Sequence, residues 1–140
     1  MIIYTDASWD SKRNIAGIGI YVKDGEKERV FSNWVPALSI NEAELAALYI
    51  GGILTGGNGK VYTDSQTALS YVRGEIKEKA RTREQYIRHK RCEMWAYKIR
   101  KLSIFPEKIK AHQHTFQTHA LGNRMADLLS QAGRAKFYEK

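Results

Sequence analysis

The chain has 140 residues, 27% of them charged, and a formal net charge of +8 at pH 7. A chain of this length buries about two-thirds of its extended surface, which predicts a single domain over residues 1–140. No apolar run approaches the ~18 residues of a membrane span, and no basic leader precedes the first strand, so neither membrane insertion nor a signal peptide is expected. Cys92 has no second cysteine with which to form an internal disulfide. A cytoplasmic monomer is the expectation.

Apolar periodicity divides the chain into nine predicted elements. Strands are predicted where apolar residues alternate or run together, and helices where they recur every three to four residues. In chain order these are strands over residues 2–8, 15–22 and 29–34, a helix over 41–54, a strand over 60–64, helices over 65–73 and 82–101, a strand over 108–112 and a helix around 121–132. A hairpin signal at Asp24-Gly25 joins the second and third strands. This order predicts an α/β fold with a mixed five-stranded sheet, its first three strands antiparallel, flanked by helices.

Caps and buried faces are predicted for the helices. Asn41 is predicted to cap the first helix, with Glu44 three residues later in capping-box spacing, and Ser65 to cap the second. The helix over residues 82–101 is predicted to bury Ile87, Met94, Trp95 and Leu102. The last helix is predicted to bury Leu121, Met125, Leu128, Leu129 and Ala132.

The positive charge is concentrated in one segment. Residues 73–110 contain thirteen Lys or Arg and five Asp or Glu, whereas the rest of the chain is balanced. The segment also holds Tyr86, Trp95 and Tyr97. Phosphate contacts dominate nucleic-acid affinity and aromatic side chains add stacking, so a polyanion-binding face is the sharper interpretation. A solvated helix face is the alternative that charge alone leaves open.

Four carboxylates are the candidates for chemistry. Asp6 and Asp64 each close a Tyr-Thr-Asp string at the end of a predicted strand, where open sheets assemble their sites. Glu44 shares its helical face with apolar residues and therefore points toward the sheet, where an unpaired charge is costly. Asp127 lies beside the apolar stripe of the last helix. Such a set favours Mg²⁺ or Mn²⁺, although helix capping remains an alternative for Glu44 and Asp64.

The strings IIYTDAS, NEAELAAL, VYTDSQTAL and GNRMADLLSQA closely resemble type 1 ribonuclease H, in order and in spacing, over residues 2–133. The resemblance implies the ribonuclease H-like fold, two divalent ions, and endonucleolytic cleavage of the RNA strand of an RNA–DNA hybrid, leaving 5′-phosphate and 3′-hydroxyl ends. It implies that Asp6 bridges both Mg²⁺ ions, that Glu44 and Asp64 complete one of them, and that Asp127 holds the other. Mn²⁺ is the expected substitute.

The same resemblance implies further site residues. Asn41, Gln66 and Asn123 would line the substrate groove, and Ser39 would contact a phosphate of the DNA strand. An accessory histidine is expected after the fifth strand. His112 fits the strand-end pattern, but it precedes Asp127 by 15 residues, a longer loop than is usual, so His114 and His119 stay open as alternatives. Histidine suits this role because its pKa lies near working pH.

The segment after Arg73 is too short for the basic protrusion that many bacterial members carry, so the chain resembles the compact subgroup that lacks it. Three other classes of protein stay open as alternatives. A transposase or integrase would carry a glutamate at Asp127, and a 3′–5′ exonuclease would carry paired acids where Asp6-Ala7-Ser8 stands. A catalytically weak hybrid-binding module would have lost a carboxylate. Cleavage of double-stranded RNA remains open.

Overall fold

A computed structural model of the chain describes residues 1–57, 59–77, 80–109 and 117–139. Five strands form one sheet in the order β3-β2-β1-β4-β5. They are β1 (Ile2–Asp10), β2 (Ile15–Asp24), β3 (Lys27–Pro36), β4 (Lys60–Thr63) and β5 (Glu107–Lys108). The first three pair antiparallel, whereas β4 runs parallel to β1 and β5 runs parallel to β4. The predicted mixed five-stranded sheet is therefore confirmed.

The β2–β3 hairpin turns where its sequence signal predicted. Gly25 has a φ of 63°, a left-handed conformation that glycine adopts without strain. Pairing continues to Asp24 and Lys27 on either side of the turn, so both strands are longer than their apolar runs. The strand boundaries differ from those predicted because polar residues at strand ends still pair through their backbones.

In the part of the chain that the structure describes, four helices cover the two faces of the sheet. They are α1 (Ile40–Thr55), α2 (Gln66–Val72), α3 (Arg83–Lys101) and α4 (Gln117–Tyr138). The larger core lies between the sheet and the layer of α1, α2 and α3, and a smaller one lies beneath α4. None of these described helices has the length and apolar character that crossing a bilayer requires.

The cap of α1 differs from the prediction. Ser39, not Asn41, is the cap residue, and its Oγ accepts a hydrogen bond of 3.1 Å from the Glu42 amide. Glu42 Oε1 in turn accepts a hydrogen bond of 2.8 Å from the Leu38 amide, so the reciprocal capping pair is Ser39 and Glu42. The alternative in which Glu44 serves the helix cap is therefore wrong, because Glu42 performs that role. Ser65 caps α2 as predicted, and its Oγ accepts a hydrogen bond of 3.1 Å from the Ala68 amide.

The buried face of α3 differs from the predicted stripe. Cys92, Ala96 and Ile99 are the residues that α3 buries, whereas Ile87 and Met94 are 40% and 42% exposed. Small side chains at 92 and 96 let α3 pack closely, which turns the larger side chains outward. Of the predicted stripe, only Trp95 and Leu102 pack against the core, and both are partly buried.

The buried face of α4 consists of small residues rather than the predicted leucines. Gly122, Ala126, Ser130 and Gly133 face the sheet, whereas Leu121, Leu128 and Ala132 are exposed and Met125 and Leu129 are partly buried. A Cβ at Gly19 would lie 2.1 Å from the Ala126 carbonyl oxygen. Close approach of the two backbones therefore requires glycine on β2 and small residues on α4. The prediction is confirmed for Met125 and Leu129, which pack against the smaller core, and wrong for Leu121, Leu128 and Ala132. The size of a side chain, besides its hydrophobicity, decides which residues face the sheet.

The fifth strand is shorter than predicted. β5 covers only Glu107–Lys108, and the amide of Ile109 donates to Thr63 O at 2.9 Å. The rest of the predicted strand, residues 110–112, lies outside the described residues.

Candidate metal centre

Pairing between β1 and β4 explains the repeated Tyr-Thr-Asp string. The strands are parallel neighbours, and Tyr4 pairs with Tyr62. Asp6 and Asp64 each follow two residues later, so both carboxylates leave the sheet at the same level on adjacent strands. The carboxyl ends of parallel strands are where sites assemble in such sheets.

Helix α1 brings a third carboxylate to this point. Asp6, Glu44 and Asp64 each offer a carboxylate oxygen, and these atoms all lie within 4.8 Å of one another. Asp6 and Glu44 are buried, whereas Asp64 is exposed at the rim. Three acidic side chains from three elements therefore converge as the sequence predicted.

Helix α4 contributes the other two groups predicted for this centre. The side chains of Asp127 and Asp6 interact directly, and this contact raises the pKa of Asp6. Asp127 is exposed, and its carboxylate accepts a hydrogen bond of 3.3 Å from Gln131 Nε2. Burial raises the pKa of Asp64, and a hydrogen bond from the side-chain amide of Asn123, one turn before Asp127, opposes this rise. The position of α4 follows from its close packing on Gly19, the β2 residue that pairs with Asp6.

Burial and mutual repulsion make these carboxylates hard to ionise together. Burial, followed by the charge of Asp64, raises the pKa of Asp6 to about 7. Burial, followed by the charges of Asp6 and Asp64, raises the pKa of Glu44 to about 10. Burial also raises the pKa of Asp64, against an opposing effect of Lys108. A nearby cation would remove this repulsion and favour the ionised forms.

Two buried oxygens at the centre fit a cation or a donor from outside the chain. Glu44 Oε2 and Asn123 Oδ1 are buried without a hydrogen-bond partner within the described structure. Buried polar atoms are almost always satisfied, so such atoms indicate a missing ligand, ion or water. The donor set consists of carboxylate and amide oxygens, which are the ligands that Mg²⁺ and Mn²⁺ prefer.

The other predicted groove residues lie in two separate places. Gln66 is exposed at the start of α2, and its Nε2 lies 3.4 Å from Ser70 Oγ. Ser39 and Asn41 line a cavity of about 290 Å³ between the first turn of α1 and one side of α3. The α3 wall of this cavity includes Arg88 and His89. The Ser39 hydroxyl, predicted to contact phosphate, also accepts the capping hydrogen bond of α1.

Of the three candidate histidines, the structure describes only His119. His112 and His114 lie in residues 110–116, outside the described residues. Nδ1 of His119 lies 2.8 Å from Tyr4 Oη, and its ring stands 4.6 Å from that of Tyr62. His119 is thus part of an aromatic cluster on β1 and β4, which anchors the first turn of α4.

Sequence reasoning missed the buried carboxylate of Glu42. It is 1% exposed and binds Arg91 and Trp95 of α3, the predicted nucleic-acid-binding helix. A Ser-x-x-Glu spacing at Ser39 was the available signal, but the adjacent Asn41-x-x-Glu44 has the same spacing and was chosen instead. Arg91 was grouped with the free cations of this segment, whereas it is held in an ion pair of 2.7 Å.

Comparisons with known proteins agree with this architecture. The structure is similar to RNase H1 from the halophilic archaeon Halobacterium salinarum NRC-1, with a TM-score of 0.61 and 14% identity over 96% of this chain and 97% of that one. It is similar to LC11-RNase H1, solved in complex with an RNA/DNA hybrid, with a TM-score of 0.61 and 21% identity over 98% of both chains.

The N-terminal RNase H domain of rv2228c from Mycobacterium tuberculosis is a third similar structure, with a TM-score of 0.58 and 17% identity over 94% of this chain and 95% of that one. No curated protein matches the chain significantly by sequence. The family model for RNase H matches residues 1–135. The chain therefore belongs to the RNase H family.

Proposed function

We propose that the protein is an endoribonuclease that hydrolyses the RNA strand of RNA–DNA hybrids and leaves 5′-phosphate and 3′-hydroxyl ends. One observation carries the proposal. Within a chain of the RNase H family, Asp6, Glu44 and Asp64 come from three elements and approach within 4.8 Å. Asp127 adds a fourth carboxylate in contact with Asp6. All four positions that the family pattern requires carry an acid.

Two Mg²⁺ ions are the proposed cofactors, with Mn²⁺ as a substitute. Asp6 would contribute to both ions, Glu44 and Asp64 to one, and Asp127 to the other. When bound, such ions activate a water and stabilise the leaving oxygen of a phosphodiester. The chain itself supplies oxygen ligands from β1, α1, α4 and the residue that follows β4. Burial of two of them, Asp6 and Glu44, limits the screening of the site by bulk water.

Recognition of the hybrid is proposed to involve Asn41, Gln66, Asn123 and Ser39. RNA is distinguished from DNA through its 2′-hydroxyl, which both donates and accepts hydrogen bonds. The buried Asn123 Oδ1 and Glu44 Oε2 are free acceptors of the kind that a 2′-hydroxyl satisfies. LC11-RNase H1 was solved with a hybrid, and its fold matches this chain over 98% of both lengths, which supports the same substrate class.

We also propose that the chain belongs to the compact subgroup without a basic protrusion. In support, α3 runs uninterrupted from Arg83 to Lys101, with Thr82 as its cap. A helix of this length leaves little of the basic segment for an inserted hairpin. Hybrid binding would then rest on α3 and the groove itself.

A panel of end-labelled substrates tests the proposal. The protein is incubated with RNA–DNA hybrid, double-stranded RNA and double-stranded DNA, each with Mg²⁺, with Mn²⁺ and with a chelator. Cleavage of the RNA strand of the hybrid, only when metal is present, is the expected result. Hybrid binding without cleavage under every metal condition would indicate a binding module, and cleavage of double-stranded DNA would indicate another nuclease of the same fold.

A further inference from the structure

Four nitrogen atoms from three residues surround the carboxylate of Glu42, although this side chain is almost completely buried. Arg91 Nε donates to both of its oxygens at 2.8 Å, and Arg91 Nη2 lies 2.7 Å from Oε2. Trp95 Nε1 donates to Oε2 at 2.9 Å, and the Leu38 amide donates to Oε1 at 2.8 Å. A fork of guanidinium nitrogens on one carboxylate is the strongest and most directional form of an ion pair.

These contacts connect two elements that are far apart in sequence. Glu42 lies in the first turn of α1, whereas Arg91 and Trp95 lie one turn apart on α3. The Glu42 side chain is 1% exposed and that of Arg91 is 38% exposed, so loss of the guanidinium would leave the buried carboxylate without its compensating charge. The geometry therefore fixes both the distance and the rotation of α3 relative to the start of α1.

The same two elements supply two walls of the cavity of about 290 Å³ that contains the predicted groove residues of α1. Ser39 and Asn41 stand on the α1 side, and Gln85, Arg88 and His89 on the α3 side. Glu42 lies in the same turn of α1 as Asn41, and Arg91 follows Arg88 by one turn of α3. The contact between Glu42 and Arg91 therefore helps to hold these two walls at their separation, while Trp9 and Tyr71 complete the lining of the cavity.

We propose that Glu42 is a positioning residue for substrate binding. By holding Arg91 and Trp95, it keeps α3 at the distance from α1 at which the two walls together contact the backbone of the nucleic acid. This role rests on the proposed function, because the occupant of the cavity is taken to be the hybrid. Glu42 itself contacts no substrate, since its carboxylate is enclosed by protein groups.

The single cysteine provides a probe of the cavity that needs no nucleic acid. Cys92 is 1% exposed, lines the cavity from α3, and has its Sγ 4.0 Å from Ser39 Oγ. If the two walls separate, a thiol reagent gains access to Cys92. Its labelling rate therefore reports the contact between α1 and α3 directly.

The test compares Glu42→Gln with the parent in two measurements. One is the rate at which Cys92 is labelled by a maleimide in the folded protein. The other is steady-state cleavage of the hybrid, resolved into KM and kcat. We expect the labelling rate of Cys92 and the KM for the hybrid each to rise by about tenfold, in keeping with the loss of a charge-assisted hydrogen bond. The value of kcat should stay within about twofold of the parent's. Glu26→Gln, the same change at an exposed carboxylate in the turn between β2 and β3, is the control and should leave both the labelling rate and KM near those of the parent.

Arg91→Lys is the second variant, because it keeps the charge but loses the two-pronged geometry. It should raise labelling and KM in the same direction, and it decides the question if Glu42→Gln does not fold. Unchanged labelling in a folded variant would overturn the proposal, as would faster labelling with an unchanged KM. Absence of hybrid cleavage by the parent would refute the proposed function instead, and thiol labelling would still test the contact between the helices.

Discussion

Asp6 touches every other acidic group of the candidate centre. It lies within 4.8 Å of Glu44 and Asp64, and it interacts with Asp127. A side chain proposed to serve both ions has no replacement within the site. We therefore expect Asp6→Asn to lower hybrid cleavage by at least about 10³-fold, the scale at which loss of a charge-stabilising group acts.

The matched control is Asp10→Asn, at the far end of the same strand, where the carboxylate binds Arg13 and Tyr138 instead. It should cleave hybrid at nearly the parent rate. Thermal unfolding of both variants verifies that each is folded. Cleavage by Asp6→Asn within tenfold of the parent would contradict a role for Asp6 as a shared ligand.

The raised pKa of Glu44 predicts how stability depends on pH without metal. Its pKa is about 10 in the fold against an ordinary 4.5, so between these values the folded state keeps a proton that the unfolded state has lost. Folding stability must then fall as pH rises through this range. In chelator, the melting temperature of the parent should be several degrees lower at pH 8.5 than at pH 6.

Glu44→Gln removes the titrating group and should melt above the parent at pH 8.5 while losing most of that pH dependence. Mg²⁺ should raise the melting temperature of the parent at pH 8.5 and have much less effect on the variant. Calorimetry at the two pH values measures both effects. Equal pH dependence in the parent and the variant would show that burial and the neighbouring carboxylates do not raise the pKa of Glu44 as described.

The three histidines are predicted to separate into two roles. His112→Ala should lower turnover by about 10²-fold, in line with general acid–base catalysis, while leaving metal binding intact. His119→Ala should lower the melting temperature, because it removes the contact with Tyr4, but change turnover less. Parallel pH–rate profiles of these variants and of His114→Ala distinguish them. A larger loss of turnover in His119→Ala would contradict the assignment.

At the scale of single elements, α3 has two functional sides. Arg91 is engaged by Glu42, whereas Arg88 lines the cavity and Lys90 is exposed. Replacement of Arg88 and Lys90 by Gln should weaken hybrid binding and reduce the slope of log K against log salt by about two units, one for each lost phosphate contact. The single-turnover rate at saturating enzyme should change little.

Binding isotherms at several salt concentrations measure this slope. The control replaces Lys23 and Lys27, which lie beside the turn of the β2–β3 hairpin, by Gln. It removes the same amount of positive charge at a place far from α3 in the sequence. If both double variants shift the slope equally, α3 contributes only general charge. An unchanged slope in both would make its basic face a solvated surface.

Helix positions were predictable from the sequence, but the buried faces of α3 and α4 were not. Hydrophobic periodicity selects the largest apolar side chains, whereas these helices approach their neighbours through Cys92, Ala96, Gly122 and Ala126. Small residues are favoured where the backbones of two elements approach each other closely, as α4 and β2 do at Gly19. The partner surface is a property of the folded sheet, so no pattern within one helix reveals it.

Across the whole molecule, the repeated Tyr-Thr-Asp string and the alternation of elements were enough to predict the sheet and the meeting of Asp6 with Asp64. Parallel pairing of β1 and β4 turns a repeat in sequence into two adjacent carboxylates. The ion pair between Glu42 and Arg91 could not be predicted in this way, because 49 residues separate its partners and no local pattern links them.

The most direct test of the central claim measures cleavage of an RNA–DNA hybrid, labelled separately on each strand, as Mg²⁺ is titrated into chelated protein. The four carboxylates predict no cleavage without metal, a rate that rises with Mg²⁺, and cuts confined to the RNA strand with 5′-phosphate ends. Cleavage that persists in chelator, or cuts in the DNA strand at a comparable rate, would contradict a metal-dependent ribonuclease acting on hybrids.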